Sequence, residues 1–235
     1  GISDNWVTFG RNLADHYSVY LPDLRNHGQS PHSNIFDFPS LSTDILELCE
    51  SQDLHDIYLI GHSLGGKTAM LIALQNPELV SRLVVVDISL RKSPPDRHHQ
   101  KLLNTMLSVD FTTAQARSDV ERQLEKTISD KALRQFLLKS VYWRDRTTLD
   151  WRLNLKAINE NLLSIFEGIS FPGVFNKPAM FIRGGLSDYI LDDDIPGIKE
   201  KFPGAEVKTI ANASHWVHAD APGEFYTLVR NFLDQ

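Results

Sequence analysis

The 235-residue chain has a single cysteine, no excess of basic charge and no apolar run approaching the ~18 residues of a membrane-spanning helix. A lone cysteine, Cys49, excludes an internal disulfide and suits a reducing compartment such as the cytoplasm. Its place in a helical pattern (Leu46, Leu48, Cys49) reads as core or boundary. With 24 Lys and Arg against 30 Asp and Glu, the net charge of −6 argues against nonspecific binding to nucleic acid or an anionic membrane. Signal peptide, internal repeat and low-complexity tract are all missing, and the chain opens at Gly1-Ile2-Ser3 without an initiator Met. Gly1 is therefore not expected to be the natural start.

What remains is an ordinary globular composition on a length that suits one large α/β domain with an insertion. A chain of this size buries about 70% of its unfolded surface and needs no disulfide or metal staple. Trp6, Phe9, Leu13 and Tyr17 recur at helical spacing, and an extended run, Ser18 to Pro22, leads into the polar loop Asp23 to Ser33. A second helix is expected over 40–52. Ile57-Tyr58-Leu59-Ile60 reads as a buried strand, followed by a helix from Leu64 to Gln75 that stops before Asn76-Pro77. The next strand spans Arg82 to Ile88, and its unbroken apolar core suits a parallel strand covered on both faces. Strand signals then vanish. Residues 89–177 read as a helical, polar insertion, with amphipathic patterns at Val120, Leu124, Ile128 and at Leu133, Phe136, Leu137, Val141. The strand pattern resumes at Ala179 to Ile182 and Glu206 to Ile210, with helices near 194–202 and from Pro222. The expected organisation is an α/β core over 1–88 and 178–235, mostly parallel with helices on both faces, and a helical insertion over 89–177.

Gly61-His62-Ser63-Leu64-Gly65 matches G-x-S-x-G between a strong strand and a helix. A nucleophilic serine needs that context: a sharp, strained turn lifts its oxygen above the sheet, and glycines let strand and helix approach. The backbone N–H of Leu64 is then placed to stabilise an oxyanion. His62 and Lys67 read as packing and surface residues. Serine needs a base, and His215 follows the last predicted strand, in a loop that an open α/β sheet brings to the same crevice. His218 with Asp220 hints at a metal, but no third ligand is spaced for one, and no metal or organic cofactor is expected. The third member is a carboxylate, in the order Ser, Asp, His. Asp188, in the loop Gly184 to Tyr189, is the preferred acid, and Asp87, ending the strand Val84 to Val86, is the alternative. Asp192-Asp193-Asp194 reads as a helix-start cluster.

Asp23 to Ser30, the elbow GHSLGGKTAM, Val86-Asp87-Ile88-Ser89 and Ser214-His215-Trp216-Val217-His218-Ala219 together resemble the ABHD11/YbfF-like esterase group of the α/β-hydrolase superfamily. The resemblance runs the length of the chain and is weakest in the insertion, which corresponds to the family's cap. It implies the α/β-hydrolase fold and a triad of Ser63, His215 and a carboxylate, and it keeps Asp87 in contention. The implied reaction is hydrolysis of a small acyl ester or acyl thioester through an acyl-serine. Carbon–carbon bond hydrolysis or cofactor-free haloperoxidase chemistry on the same triad, and a silent binding module on the same fold, are the alternatives. Gly1 matches the last glycine of the family's His-Gly-x-x-Gly oxyanion loop. That loop and the strands before it are absent here, and about two dozen further residues are expected in front.

Overall fold

A computed structural model describes residues 1–93 and 97–235, apart from the side chains of Arg97 and His98. Residues 94–96, inside the expected insertion, lie outside the described residues. The chain forms two compact units: Gly1–Thr8, Tyr20–Phe36 and Ser93–Phe166 make one, and Phe9–Val19, Asp37–Lys92 and Glu167–Gln235 the other.

The second unit is built on parallel strands. In chain order the strands of the molecule are β1 (Ile57–His62), β2 (Val80–Val86), β3 (Val141–Trp143), β4 (Leu149–Trp151), β5 (Ala179–Gly184) and β6 (Ala205–Ile210). Four of them pair in the order β1-β2-β5-β6, every pair parallel. Leu83, Val84, Val85 and Val86 on β2 and Ala179, Phe181 and Ile182 on β5 are fully buried. These are the central strands, and their unbroken apolar runs follow from being covered on both faces. Asp37 caps the helix Phe38–Ser51 by accepting from the Ser40 amide (2.8 Å), with Pro39 in the first turn. The helix Leu64–Gln75 is apolar almost all round and lies inside, with Met70, Ile72 and Ala73 essentially inaccessible. The extended run at 18–22 forms no strand; its residues are irregular.

The other unit takes in residues 93–166, part of the 89–177 stretch expected as a helical insertion, together with Gly1–Thr8 and Tyr20–Phe36. It is not wholly helical. Val141–Trp143 and Leu149–Trp151 pair antiparallel, with Asp145 accepting the Thr147 (2.9 Å) and Thr148 (2.8 Å) amides in the turn. Val141, expected on the apolar face of a helix, opens the strand instead, and the helix stops at Leu138. The Trp151 indole donates to the Met106 carbonyl (3.0 Å), and His27 bridges Leu153. Among the described residues no helix is long and apolar enough to cross a membrane.

Candidate active site

The site is assembled at the carboxyl ends of the sheet strands. Register sets it up: Gly61 pairs with Val85 and His62 with Val86, so the residues that follow, Ser63 and Asp87, leave neighbouring strands side by side. The Ser63 amide donates to the Val86 carbonyl (3.0 Å), and the Asp87 amide to the Ile182 carbonyl (2.8 Å).

Ser63 sits at φ 52°, ψ −118°, a conformation that costs a non-glycine residue of order 1–3 kcal/mol. The surrounding contacts hold it there. A Cβ on Gly61 would lie 2.2 Å from the Gly65 carbonyl oxygen, so only glycine lets the strand pass the helix start at that point. Gly65, by contrast, has open space around it. The second close approach is at Gly66, whose Cβ would meet Ile88 at 2.6 Å. Leu64 opens the helix Leu64–Gln75, so its N–H is one of the first-turn donors that lack an intrahelical acceptor.

The imidazole of His215 meets a carboxylate through Nδ1, and that carboxylate is Asp87, at 2.8 Å. The preferred contact with Asp188 is not made. Among the described residues Asp188 enters the hydrogen-bond network through its main-chain carbonyl, which accepts from Arg91 (2.6 Å). Asp87 is completely buried. A buried carboxylate is costly unless its lone pairs are met, and three donors meet them here: the His215 ring, the Gly184 amide (2.9 Å) and the Ser187 hydroxyl. The loop expected to supply the acid thus supplies donors to a different acid. An ionised Asp87 only accepts, so this contact calls for the His215 proton on Nδ1.

Three further rings, Tyr189, His62 and Trp216, pack around the imidazole among the described residues. Tyr189 stacks on His215 with centroids 4.0 Å apart and planes at 27°. His62 donates from Nε2 to the His215 main-chain carbonyl (2.8 Å) and packs against His218 at 5.1 Å. Burial pushes the His62 imidazole well below its ordinary value, with the neighbouring His215 and His218 adding to the effect. Asp220 accepts from the Ser214 amide (2.8 Å) and hydroxyl (2.6 Å), fixing the same loop. The suspected His218–Asp220 pair is therefore split between packing and capping. Lys67, read as a surface residue, is buried; its ammonium donates to the carbonyls of Arg91 (3.1 Å) and Glu167 (2.6 Å). Burial brings it down to about 8, with Arg91 adding to the shift and Glu167 opposing it.

Sequence reasoning missed Ser187, Tyr189 and the His62 clip. Ser187 and Tyr189 flank the favoured Asp188 and were overshadowed by it, while His62 stands directly before the nucleophile.

A parallel sheet ending in a strained serine elbow, beside a carboxylate-bound histidine, defines a class that the comparisons match. The α/β hydrolase fold family matches residues 1–222, and the chain belongs to it. It is 37% identical over 240 residues to the sn-1-specific diacylglycerol lipase ABHD11 of Xenopus laevis, covering 100% of this chain and 77% of that protein. It is 29% identical to the esterase YbfF of Escherichia coli, covering 100% and 89%. The solved structure of a marine microorganism esterase superimposes with a TM-score of 0.95 at 40% identity, covering 99% of this chain and 91% of that one. The resemblance read from the motifs is borne out, and the chain is a hydrolase of the esterase type.

Proposed function

We propose that this protein hydrolyses carboxylic esters or acyl thioesters, with Ser63 as nucleophile, His215 as general base and acid, and Asp87 as the carboxylate that orients it. The observation that carries the reading is the 2.8 Å bond from Asp87 to Nδ1 of His215, beside a serine held at positive φ. Ser63 Oγ attacks the acyl carbon while its proton passes to His215 Nε2. Negative charge gathers on the carbonyl oxygen, where the Leu64 N–H stabilises it. Collapse breaks the bond to the leaving oxygen or sulfur, which takes the proton from His215, and the acyl group stays on Ser63. A water molecule gives a proton to His215 and attacks the acyl-serine. Ser63 then recovers its proton, and the carboxylic acid departs. Throughout, buried Asp87 holds the imidazole in one tautomer and offsets its transient positive charge.

The vertebrate relatives are diacylglycerol lipases and the bacterial ones esterases, which makes glycerol esters, simple alkyl esters and acyl-CoA thioesters the substrates to compare. A cytoplasmic location belongs to the same proposal, supported by the single, buried, unpaired Cys49. The decisive experiment is covalent labelling with a fluorophosphonate, followed by turnover of p-nitrophenyl esters and acyl-CoAs. Labelling at Ser63, absent in Ser63→Ala, is the expected result. An unlabelled folded protein that turns over no ester would overturn the reading.

A further inference from the structure

We infer that Arg91 is a positioning residue, holding in place the loop that supports the Asp87–His215 pair. The inference deepens the function proposed above and rests on it.

Ser187 and Tyr189 both touch the pair, one through the Asp87 carboxylate and the other across the face of the imidazole. Yet they ride on an exposed loop: Leu186 between them and the sheet is 73% accessible, and Leu191 beyond them is 44% accessible. Buried Ile190 and the Leu186 amide, which donates to the Ala213 carbonyl (3.0 Å), fix the two ends of this stretch, and the exposed residues between them take a further restraint from outside. Arg91 supplies it at two points. One terminal nitrogen donates to the Asp188 carbonyl (2.6 Å), midway between Ser187 and Tyr189. Its Nε pairs with the Asp194 carboxylate (3.0 Å), which also accepts the Leu191 amide (2.8 Å) and so closes the far end of the loop. A guanidinium suits this task because its planar fork holds its donors at fixed angles to one another, whereas an ammonium is a compact charge whose donors rotate freely.

Arg91 is anchored in turn. Its carbonyl accepts from the buried Lys67 ammonium, which also grips the Glu167 carbonyl, while the Ile169 amide donates to the Leu90 carbonyl (2.8 Å). Lys67 lies one turn along the helix that begins beside Ser63, and its amide donates to the Ser63 carbonyl (3.0 Å). A chain of hydrogen bonds therefore runs from the nucleophile's helix through Lys67 and Arg91 to the loop, and from the loop to Asp87 and His215. The Arg91–Asp194 pair is part-exposed, 36% accessible at the arginine side chain and 8% at the carboxylate, so its loss costs a little stability as well. Its main effect is on geometry, and geometry is read in turnover.

The test compares Arg91→Ala, Arg91→Lys, Asp194→Asn and Arg91→Ala/Asp194→Asn on a short p-nitrophenyl ester. Arg91→Ala is expected to lower kcat about tenfold to a hundredfold while KM stays within about twofold, since small misplacements of reacting groups cost rates of that order. Arg91→Lys should recover only part of the loss, Asp194→Asn should lose a similar factor, and the double variant should be no worse than the poorer single one. Melting temperatures should stay close to that of the unsubstituted protein. If Arg91→Ala folds poorly, Asp194→Asn carries the test alone. A folded variant with kcat unchanged, or losses that multiply in the double variant, would overturn the inference. An unsubstituted protein without Ser63-dependent turnover would overturn the proposed function as well, whereas turnover indifferent to Arg91 overturns this inference only.

Discussion

His62 holds His215 by its backbone: the ring Nε2 of one donates to the main-chain carbonyl of the other at 2.8 Å. The residue next to the serine thus fixes the loop that carries His215, through the proton on its Nε2. Burial keeps it neutral by pushing its pKa well down, and it pushes that of His27 down to about 3.

A pH dependence of stability follows. Unfolded histidine titrates near 6.5, and between that value and the lowered folded one the unfolded chain binds a proton that the folded chain refuses. Stability is therefore full above pH 6.5 and declines as pH falls, by at most about 1.4 kcal/mol per pH unit for each such group. Thermal melting between pH 7 and 5 should show this loss, and His62→Gln should make it shallower, leaving the share of His27. Equal slopes in the two proteins would refute the assignment.

Ser63→Ala and His215→Ala should each remove on the order of 10⁴- to 10⁶-fold of kcat without altering the melting profile by more than a small shift. Retention of a tenth of the activity in either would sink the proposed roles.

The carboxylates separate cleanly. Asp87→Asn should cost about 10⁴-fold by leaving His215 in the wrong tautomer, whereas Asp188→Asn should stay within about threefold, because Asp188 acts through a carbonyl that the substitution retains. The reverse ranking, measured on one ester at one pH, would return the role to Asp188.

Charge is unevenly spread along the chain. Residues 89–177 hold 15 Lys and Arg against 10 Asp and Glu, a net of +5, and the remainder is −11. If the basic segment steers anionic substrates, kcat/KM for an acyl-CoA should fall with salt while that for a neutral ester stays level. Parallel salt curves would dispose of steering.

The legible parts of this fold are those whose chemistry is local. The elbow announces itself because a strained serine requires glycines within a few residues, and β2 and β5 do so because strands buried on both faces must be apolar throughout. Which carboxylate meets His215 was not legible. Asp87 and Asp188 each follow a strand, and the choice between them depends on which side chain turns toward His215 once β2 and β5 are neighbours. The β3–β4 hairpin was missed although Val141-Tyr142-Trp143 is rich in strand-forming types, because three residues are too few to show alternation beside a helix that shares its apolar phase. Ser18 to Pro22 shows the converse: an extended, apolar run is a strand only when another strand pairs with it.

The order of strands also has a consequence for how this protein acquires its activity. β2 and β5 are hydrogen-bonded neighbours, yet 92 residues separate Val86 from Ala179. Closing so long a loop is entropically slow, although each doubling of length adds only about 0.6 kcal/mol. Asp87 leaves one side of that junction, Gly184 and Ser187 leave the other, and His215 follows the strand beyond it. Helices, whose contacts are local, are free to form before the junction closes. On refolding, helical dichroism should therefore return ahead of ester hydrolysis, and the lag between them times the pairing of β2 with β5.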